Sequence, residues 1–464
     1  MRSNKKYSSV LIVAVLFLFV FIYNVTLKAY FDAEVQRSSQ ILVDERDPHR
    51  VSVVEDDSSA GLNFRPVRHV ILSRSEEEFN RHNVLIPNYL YPVGSGSLLD
   101  DFSRCRMSNC FDFSRCKAND LLRVHIVPSR PSSHDVLNET QGENNQIHRS
   151  ILEVIRRSKH FEPNPERACI FVLEDDTLDR DPLSPSFRSG VGSYLKRDGR
   201  YGMNYLIFNL YSGTWPDYSE NDFGGLQFGA AIIAKASNSL SYHRPDFDIS
   251  LPLFSHAHPF SSSQSYGQDL RSNDRIHIHK NRTYLLTFKG KRYVYGSGSN
   301  TRNSLYHLDN GKDVIMLTTC RHGKRWQDSS DSRCTGEEIR YTQYDFVKLM
   351  KESKFCLTPR GRRLGSFRYL ESLSHGCIPV VLSDSWVKPF DELIYWPDAT
   401  VQIQEDLLLQ TTDFLRDVST GVMNEMEQNC INIYEKYFAT IETITLTTLS
   451  IIEKRIKNQV GNIA

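Results

Sequence analysis

Three arginines within four residues, Arg360, Arg362 and Arg363, occupy a turn between a short apolar run, Phe355 to Leu357, and a segment of helical periodicity. A helix start offers free N–H groups and the positive end of its dipole. Guanidinium groups beside it complete an anion site suited to a phosphate. Ser366 stands in the first turn, and Arg368 and Glu371, three apart, share a helix face. A carboxylate about a helix length beyond a phosphate site is placed to hold a ribose hydroxyl, so the chemistry implied is nucleotide recognition. The spacing is neither G-x-x-x-x-G-K-[ST] nor G-x-G-x-x-G, so the loop is not one of the common phosphate loops. The plainer reading is a solvated basic turn followed by an i,i+3 ion pair. Against it stand the apolar runs on both sides, between which a basic cluster needs an anionic partner.

The elements that must position these residues form a βαβ unit. Leu364, Phe367, Leu370 and Leu373 lie at helical spacing, Gly376 ends the helix, and Ile378 to Leu382 is a second buried-type strand. A similar pattern stands upstream. A strand at Thr283 to Phe288 hands over to Lys289-Gly290-Lys291-Arg292-Tyr293, and Gly296 to Arg302 leads into a helix at about Arg302 to His307. This geometry lets backbone amides approach a diphosphate. Lys289, Lys291, Arg292, Arg302, Arg360, Arg362, Arg368 and Glu371 are therefore the candidate substrate-binding residues. A strand at Val314 to Thr319, a helix around Tyr344 to Met350 and a strand at Val401 to Gln404 continue the α/β alternation.

Nearer the N-terminus, Leu121 to Val127, Ala168 to Leu173 and Tyr205 to Tyr211 read as parallel-type strands, with a helix at Gln146 to Lys159. Asp175, Asp176, Asp179 and Asp181 follow the second strand, and Ser212, Trp215, Asp217 and Glu220 follow the third. Ligands of open α/β sheets bind at the carboxyl ends of strands, so an acceptor site and a general base are sought here. Helix caps and solvated loops are the alternative. The D-x-D pairs at 179–181 and 246–248 invite a metal reading. Arginines neutralise a leaving diphosphate without metal, however, and 246–248 reads as a strand start, so no essential metal or other cofactor is expected. Val422 to Ile456 carries Met426, Cys430, Ile433, Tyr437, Ile441 and Ile444 as the stripe of a long docking helix.

At 464 residues the chain has room for two domains, and its 56 basic and 56 acidic side chains argue against nucleic acid as a partner. Tyr7 to Leu27 carries no charge and follows Arg2, Lys5 and Lys6. It reads as an uncleaved signal anchor with the body of the protein in the lumen, a cleaved signal peptide being the alternative. The expected organisation is a cytosolic tail (1–6), a transmembrane anchor (7–27), a stem (28–98), an N-terminal Rossmann-like acceptor-side domain (99–275), a C-terminal Rossmann-like donor-binding domain (276–420) and a helical segment (421–464). Nine cysteines without a C-x-x-C pair favour disulfides over zinc in a lumenal protein. Sequons at Asn138 and Asn281 fit glycosylation there.

PRGRRLGSFRYLE, NLYSGTWPDYSE, FKGKRY and SRCRMSNCFDFSRC together resemble the exostosin family, from about Cys105 to about Ile456. The resemblance implies a GT-B-type fold, two Rossmann-like domains facing a cleft. It also implies an inverting glucuronosyltransferase of heparan sulfate synthesis, taking UDP-glucuronic acid to a terminal N-acetylglucosamine. By matching motifs, Arg302, Arg362 and Arg368 would serve the diphosphate and donor carboxylate, Glu371 the ribose, and Asp181, or failing it Asp176, the base. The implied disulfides are Cys105–Cys110, Cys116–Cys169, Cys320–Cys334 and Cys356–Cys377, with Cys430 unpaired. Full-length relatives carry a second, N-acetylglucosaminyltransferase domain. This chain stops at Ala464 without it, so a hetero-oligomer with a longer exostosin-family glycosyltransferase is expected, in the Golgi or endoplasmic reticulum membrane. Two rivals are a non-catalytic subunit and a sugar-chain binding module with a dead donor pocket. Both predict a decayed donor loop, and PRGRRLGSFR is intact.

Overall fold

Buried apolar runs set the architecture, which among the described residues is two five-stranded sheets, all parallel. The first contains β1 (Val124–Val127), β2 (Ile170–Leu173), β3 (Tyr205–Asn209), β4 (Ile232–Ala236) and β5 (Ile249–Leu251), side by side in chain order. The second contains β6 (Tyr284–Lys291), β7 (Val314–Thr319), β8 (Ser353–Pro359), β9 (Ile378–Leu382) and β10 (Val401–Gln402), in the order β10-β9-β8-β6-β7. Strands covered on both faces read as unbroken apolar runs, as β2, β3, β7 and β9 do here. The computed structural model describes residues 101–461 except 117–120, 130–142, 192–194, 196–200, 255–281 and 323–325. The expected tail, anchor and stem, Asn138 and Asn281 lie outside the described residues, as does the boundary expected between 275 and 276. Among the described residues no helix is long and apolar enough to cross a membrane.

Several elements depart from the sequence reading. β6 runs on to Lys291, paired through Lys289↔Leu317 and Lys291↔Thr319, so Lys289-Gly290-Lys291 is strand and not loop. Helix α2 (Ser299–Ser304) begins before Arg302 because Gly298, at φ 73°, is its N-cap, and it tightens to a 3₁₀ turn at Leu305–Leu308. β4 was not anticipated: the run Ala-Ile-Ile-Ala is too short to show a period, and Lys235 interrupts it. Asp246 and Asp248 do lead into a strand, β5. With α1 (Glu143–Arg157) preceding β2, the later helices include α3 (Cys334–Gln343), α4 (Phe346–Lys351), α5 (Phe367–Ser374), α6 (Thr420–Ile433) and α7 (Ile441–Gly461), with a short helix at Thr411–Arg416 before α6. Ser366 is the N-cap of α5, one residue outside its first turn, and Gly376 at φ 63° closes its C-terminal end.

The two sheets share one hydrophobic core. Each fully buried aliphatic or aromatic side chain in it contributes about 1.5–3 kcal/mol. Along the seam Ser239 pairs with Trp386 in an antiparallel bridge, and Val387 N–H donates to Asn238 O at 2.9 Å. Helix α7 packs on α1, and its Arg455 donates to Phe247 O at 2.7 Å while pairing with Glu392 at 2.6 Å, so it holds both sheets. The structure contains the four disulfides implied by the resemblance, and Cys430 is buried and unpaired.

Candidate functional site

The chain leaves β6 for β7 on one side and β8 for β9 on the other. The loops after these neighbouring strands therefore diverge at their carboxyl ends, which opens the crevice where ligands of such sheets bind. Both basic loops are here. Ser297 Oγ donates to Arg362 O at 3.0 Å, and the Arg362 guanidinium donates to the carbonyls of Ser297 (3.1 Å) and Tyr295. Arg360 Nη2 donates to Ser297 Oγ at 3.3 Å. A side chain at Gly298 would place Cβ 2.1 Å from Gly361 O, so only glycine allows this approach. Arg360 Nε is enclosed and has no hydrogen-bond partner among the described residues. Nη1 of the same guanidinium lies 3.9 Å from Glu405 Oε1, so Arg360 is partly neutralised by the protein itself.

Arg302 is not a ligand-facing residue. Its guanidinium donates to Arg360 O (2.7 Å), Lys291 O (2.9 Å) and Pro359 O (3.2 Å), and it lies against Tyr293 and Phe288. It braces the two loops from beneath, and burial lowers its pKa. Arg292 is likewise committed, 1% exposed and paired with Asp331 and Glu337 at 2.8 Å each. Its long reach serves the β6–α3 packing, contrary to the substrate-binding role expected. Lys289 Nζ donates to Tyr344 O at 2.5 Å and lies over Tyr341, with its pKa lowered by burial. Arg368 pairs with Glu371, as its i,i+3 spacing allows, and Nε donates to Lys289 O at 2.8 Å. These three form a cluster beside β6, while Lys291 is exposed at the end of that strand.

The arginine loop reaches the first sheet through Arg363. Its guanidinium donates to Ser212 O (2.6 Å), Gly213 O (2.6 Å) and Asp181 Oδ2 (3.1 Å). Tyr218 covers it at 5.0 Å and lies 6.0 Å from the Arg362 guanidinium. Asp181 thus lies against the arginine loop, its carboxylate held by Arg363 and by Leu183 N–H. Asp176 is turned to Leu178 N–H (2.9 Å) and lies 4.0 Å from buried His148. Asp179 accepts from Ser184 Oγ at 2.5 Å, and burial raises its pKa. Asp248 is buried against Arg244 at 2.6 Å. The carboxylates of Asp179, Asp181 and Asp248 are therefore committed to protein donors, and Asp246 is exposed. Among the described residues no group of three or more His, Cys, Asp or Glu side chains could hold a metal ion.

Sequence reasoning missed Lys235. It sits near the end of β4 with Nζ 2.9 Å from Glu220 O and 3.6 Å from Glu220 Oε2, and burial lowers its pKa to about 8. Glu220 Oε2 accepts from Ser239 N–H (2.8 Å), and Ser237 Oγ accepts from Gly365 N–H (3.0 Å), which links this strand end to the arginine loop. A single lysine in an apolar run was the available signal. A cavity of about 480 Å³ elsewhere, lined partly by Arg115, Arg123, Arg167 and Lys457, contains none of these residues.

The structure thus defines an α/β protein with two parallel sheets and a basic, glycine-bearing crevice at the switch point of the second. The family model of the Exostosin GT47 domain matches residues 18–418. Exostosin-1c of Danio rerio is 45% identical over 364 residues, which is 77% of this chain and 47% of that protein. Exostosin-1 of Drosophila melanogaster is 46% identical over 354 residues, 76% of this chain and 45% of that one. Among solved structures, WaaG, a glycosyltransferase involved in lipopolysaccharide biosynthesis, aligns with 71% of this chain and 99% of its own at 11% identity and a TM-score of 0.33. The chain belongs to the exostosin GT47 family. It spans about half the length of the curated relatives it matches.

Proposed function

We propose that this chain is an inverting glycosyltransferase of heparan sulfate elongation, moving glucuronic acid from UDP-glucuronic acid to the 4-hydroxyl of a terminal N-acetylglucosamine. The observation that carries the reading is the meeting of two basic loops at the β6/β8 switch point, where Ser297 Oγ donates to Arg362 O and the Arg362 guanidinium donates to Ser297 O. The two sheets are read as the halves of a GT-B-type arrangement, with the diphosphate between residues 292–298 and 360–366. An alpha-linked donor and a beta-linked product require one in-line displacement. The acceptor oxygen loses its proton to a base, and Arg360 and Arg362 neutralise the leaving UDP. For Asp181 to be that base it must give up Arg363, and the entering diphosphate competes for the same guanidinium. No essential cofactor is assigned. Lys289, Arg368 and Glu371 remain the donor-sugar and ribose candidates.

Heparan elongation alternates two sugars and needs two transfer sites. We assign one to this crevice and the other to a longer exostosin-family protein, both anchored as type II proteins in the Golgi or endoplasmic reticulum membrane. Anchoring in one membrane raises their effective concentration. The second reading is a weakly active subunit that supports such a partner. The Asp181–Arg363 pair favours it, because the guanidinium occupies the carboxylate oxygen that would have to meet the acceptor hydroxyl. The test supplies the full chain with UDP-glucuronic acid, UDP-N-acetylglucosamine and a heparan primer. Addition of at most one glucuronic acid, rising on co-expression with the longer protein, supports transfer. No addition in either setting favours the subunit reading, and many alternating additions by the chain alone contradict the division of labour.

A further inference from the structure

We propose that His322 is a further ligand of the donor diphosphate, and that it takes up a proton from solvent as the nucleotide enters. The inference rests on the donor reading of the β6/β8 crevice. Contacts place the imidazole there. Its Nε2 lies 2.6 Å from Arg292 O, and its ring meets Tyr293 edge-on at 5.4 Å. The Arg362 guanidinium lies over that same Tyr293 ring at 4.3 Å, and a Cβ on Gly361 would stand 3.3 Å from the Tyr293 hydroxyl. His322 therefore shares one aromatic wall with the arginine loop.

The segment that carries it is braced. His322 follows Cys320, which is bonded to Cys334 on α3, and its N–H donates to Cys320 O at 2.8 Å. Arg321 N–H donates to Thr319 Oγ1 at 3.1 Å, and Arg292 N–H donates to Thr319 O at 2.8 Å. β6 and β7 are neighbours, so this turn and residues 292–298 stand at the same carboxyl edge of the sheet. A side chain fixed before binding loses little entropy on meeting a ligand.

The proton follows from that geometry. A carbonyl only accepts, so Nε2 carries the hydrogen toward Arg292 O and Nδ1 of the neutral ring is a lone pair. A lone pair repels phosphate oxygens, whereas a protonated Nδ1 donates to them, so the anion favours the imidazolium. Without an anion the balance is opposite. Burial lowers the imidazole pKa, the Arg292 carbonyl opposes this, and Lys291 on β6, Arg362 on the arginine loop and Arg302 on α2 lower it further. Arg321, on the same segment, lies over Trp326 at 5.1 Å. The carboxylates packed beside β6 and β7 are committed, Asp331 and Glu337 to Arg292 and Glu338 to Thr319 Oγ1. A diphosphate reverses the sign of this field and raises the pKa, so binding takes up a proton. By linkage, affinity strengthens as pH falls from the bound value toward the free one.

Calorimetry of the full chain with UDP-glucuronic acid, in buffers of different ionisation enthalpy, reads the protons taken up. The diphosphate of this probe is esterified at both ends, so it lacks the ionisation at about pH 6 of a free phosphate end. The parent should bind about three- to tenfold more tightly at about pH 6 than at about pH 8, with net proton uptake. His322→Gln keeps a neutral donor for the Arg292 carbonyl but holds no proton. It should bind within about threefold of the parent at about pH 8 and lose the uptake and most of the pH dependence. Carbethoxylation of His322 in the parent, followed by peptide mass spectrometry, needs no variant and should slow when the nucleotide is bound. The proposal is overturned if the parent binds without proton uptake, if the glutamine variant keeps the uptake, or if the nucleotide leaves the modification rate unchanged. Each of those results leaves the donor reading standing, whereas no binding by the parent sinks that reading and this inference together.

Discussion

The Arg363 guanidinium and the Asp181 carboxylate meet at 3.1 Å across 182 residues of sequence. The loop that carries the phosphate-seeking arginines is therefore tied to the end of β2. On the proposed reading, donor recognition and the placement of the candidate base are coupled through this contact.

Coupling between these two residues is the first consequence. Arg363→Ala should lower stability by about 1–3 kcal/mol, since it also frees the carbonyls of Ser212 and Gly213. In a double-mutant cycle with Asp181→Asn, denaturant unfolding should give a coupling energy of about 0.5 kcal/mol or more. Strict additivity would mean that the contact is incidental.

Gly298→Ala should damage the crevice more than the fold. The new Cβ meets Gly361 O at 2.1 Å, and a left-handed φ of 73° costs an alanine about 1–2 kcal/mol. The expected outcome is UDP affinity reduced about tenfold or more with the circular dichroism spectrum retained. Unchanged affinity would place the nucleotide elsewhere.

Arg302→Met should behave as a core mutation. It abandons three carbonyl acceptors beneath the loops, at a cost of about 3 kcal/mol or more. Urea unfolding should show that loss. Full stability with selective loss of UDP affinity would restore Arg302 to the ligand-facing role its motif implies.

The contrast among the arginines shows where sequence reasoning stops. The βαβ unit around Arg362 was legible because Leu370 and Leu373 follow a helical period between two apolar runs. The parallel α/β class followed from the same alternation. Whether an arginine faces a ligand or braces a loop depends on which carbonyls surround it in space, and Arg292 and Arg302 have none of those partners in their local motif. The Asp181–Arg363 contact joins distant segments and leaves no local pattern. Lys235 was hidden because a buried lysine looks like a strand end until its partner, Glu220, is known.

Lys235 also gives a pH signature. Burial lowers its pKa from the ordinary 10.5 to about 8. Between those values the unfolded chain holds a proton that the folded chain has released, so stability rises with pH across the window. Below about 8 both states are protonated and that contribution is lost. The parent should therefore gain stability relative to Lys235→Met as pH rises from about 8 to 10.5, read from urea midpoints. A constant or shrinking difference would contradict this.

The central claim is that the β6/β8 crevice holds the donor diphosphate, and calorimetric titration of UDP into the full chain and Arg362→Ala tests it most directly. Among the described residues the Arg362 guanidinium hydrogen-bonds to the carbonyls of Tyr295 and Ser297 and lies over Tyr293, all at the crevice, so its loss should spare the fold. The account predicts binding by the parent, weakened in the variant by about 1.5–3 kcal/mol, the scale of a lost charged hydrogen bond. Equal UDP affinity in the two proteins would contradict it.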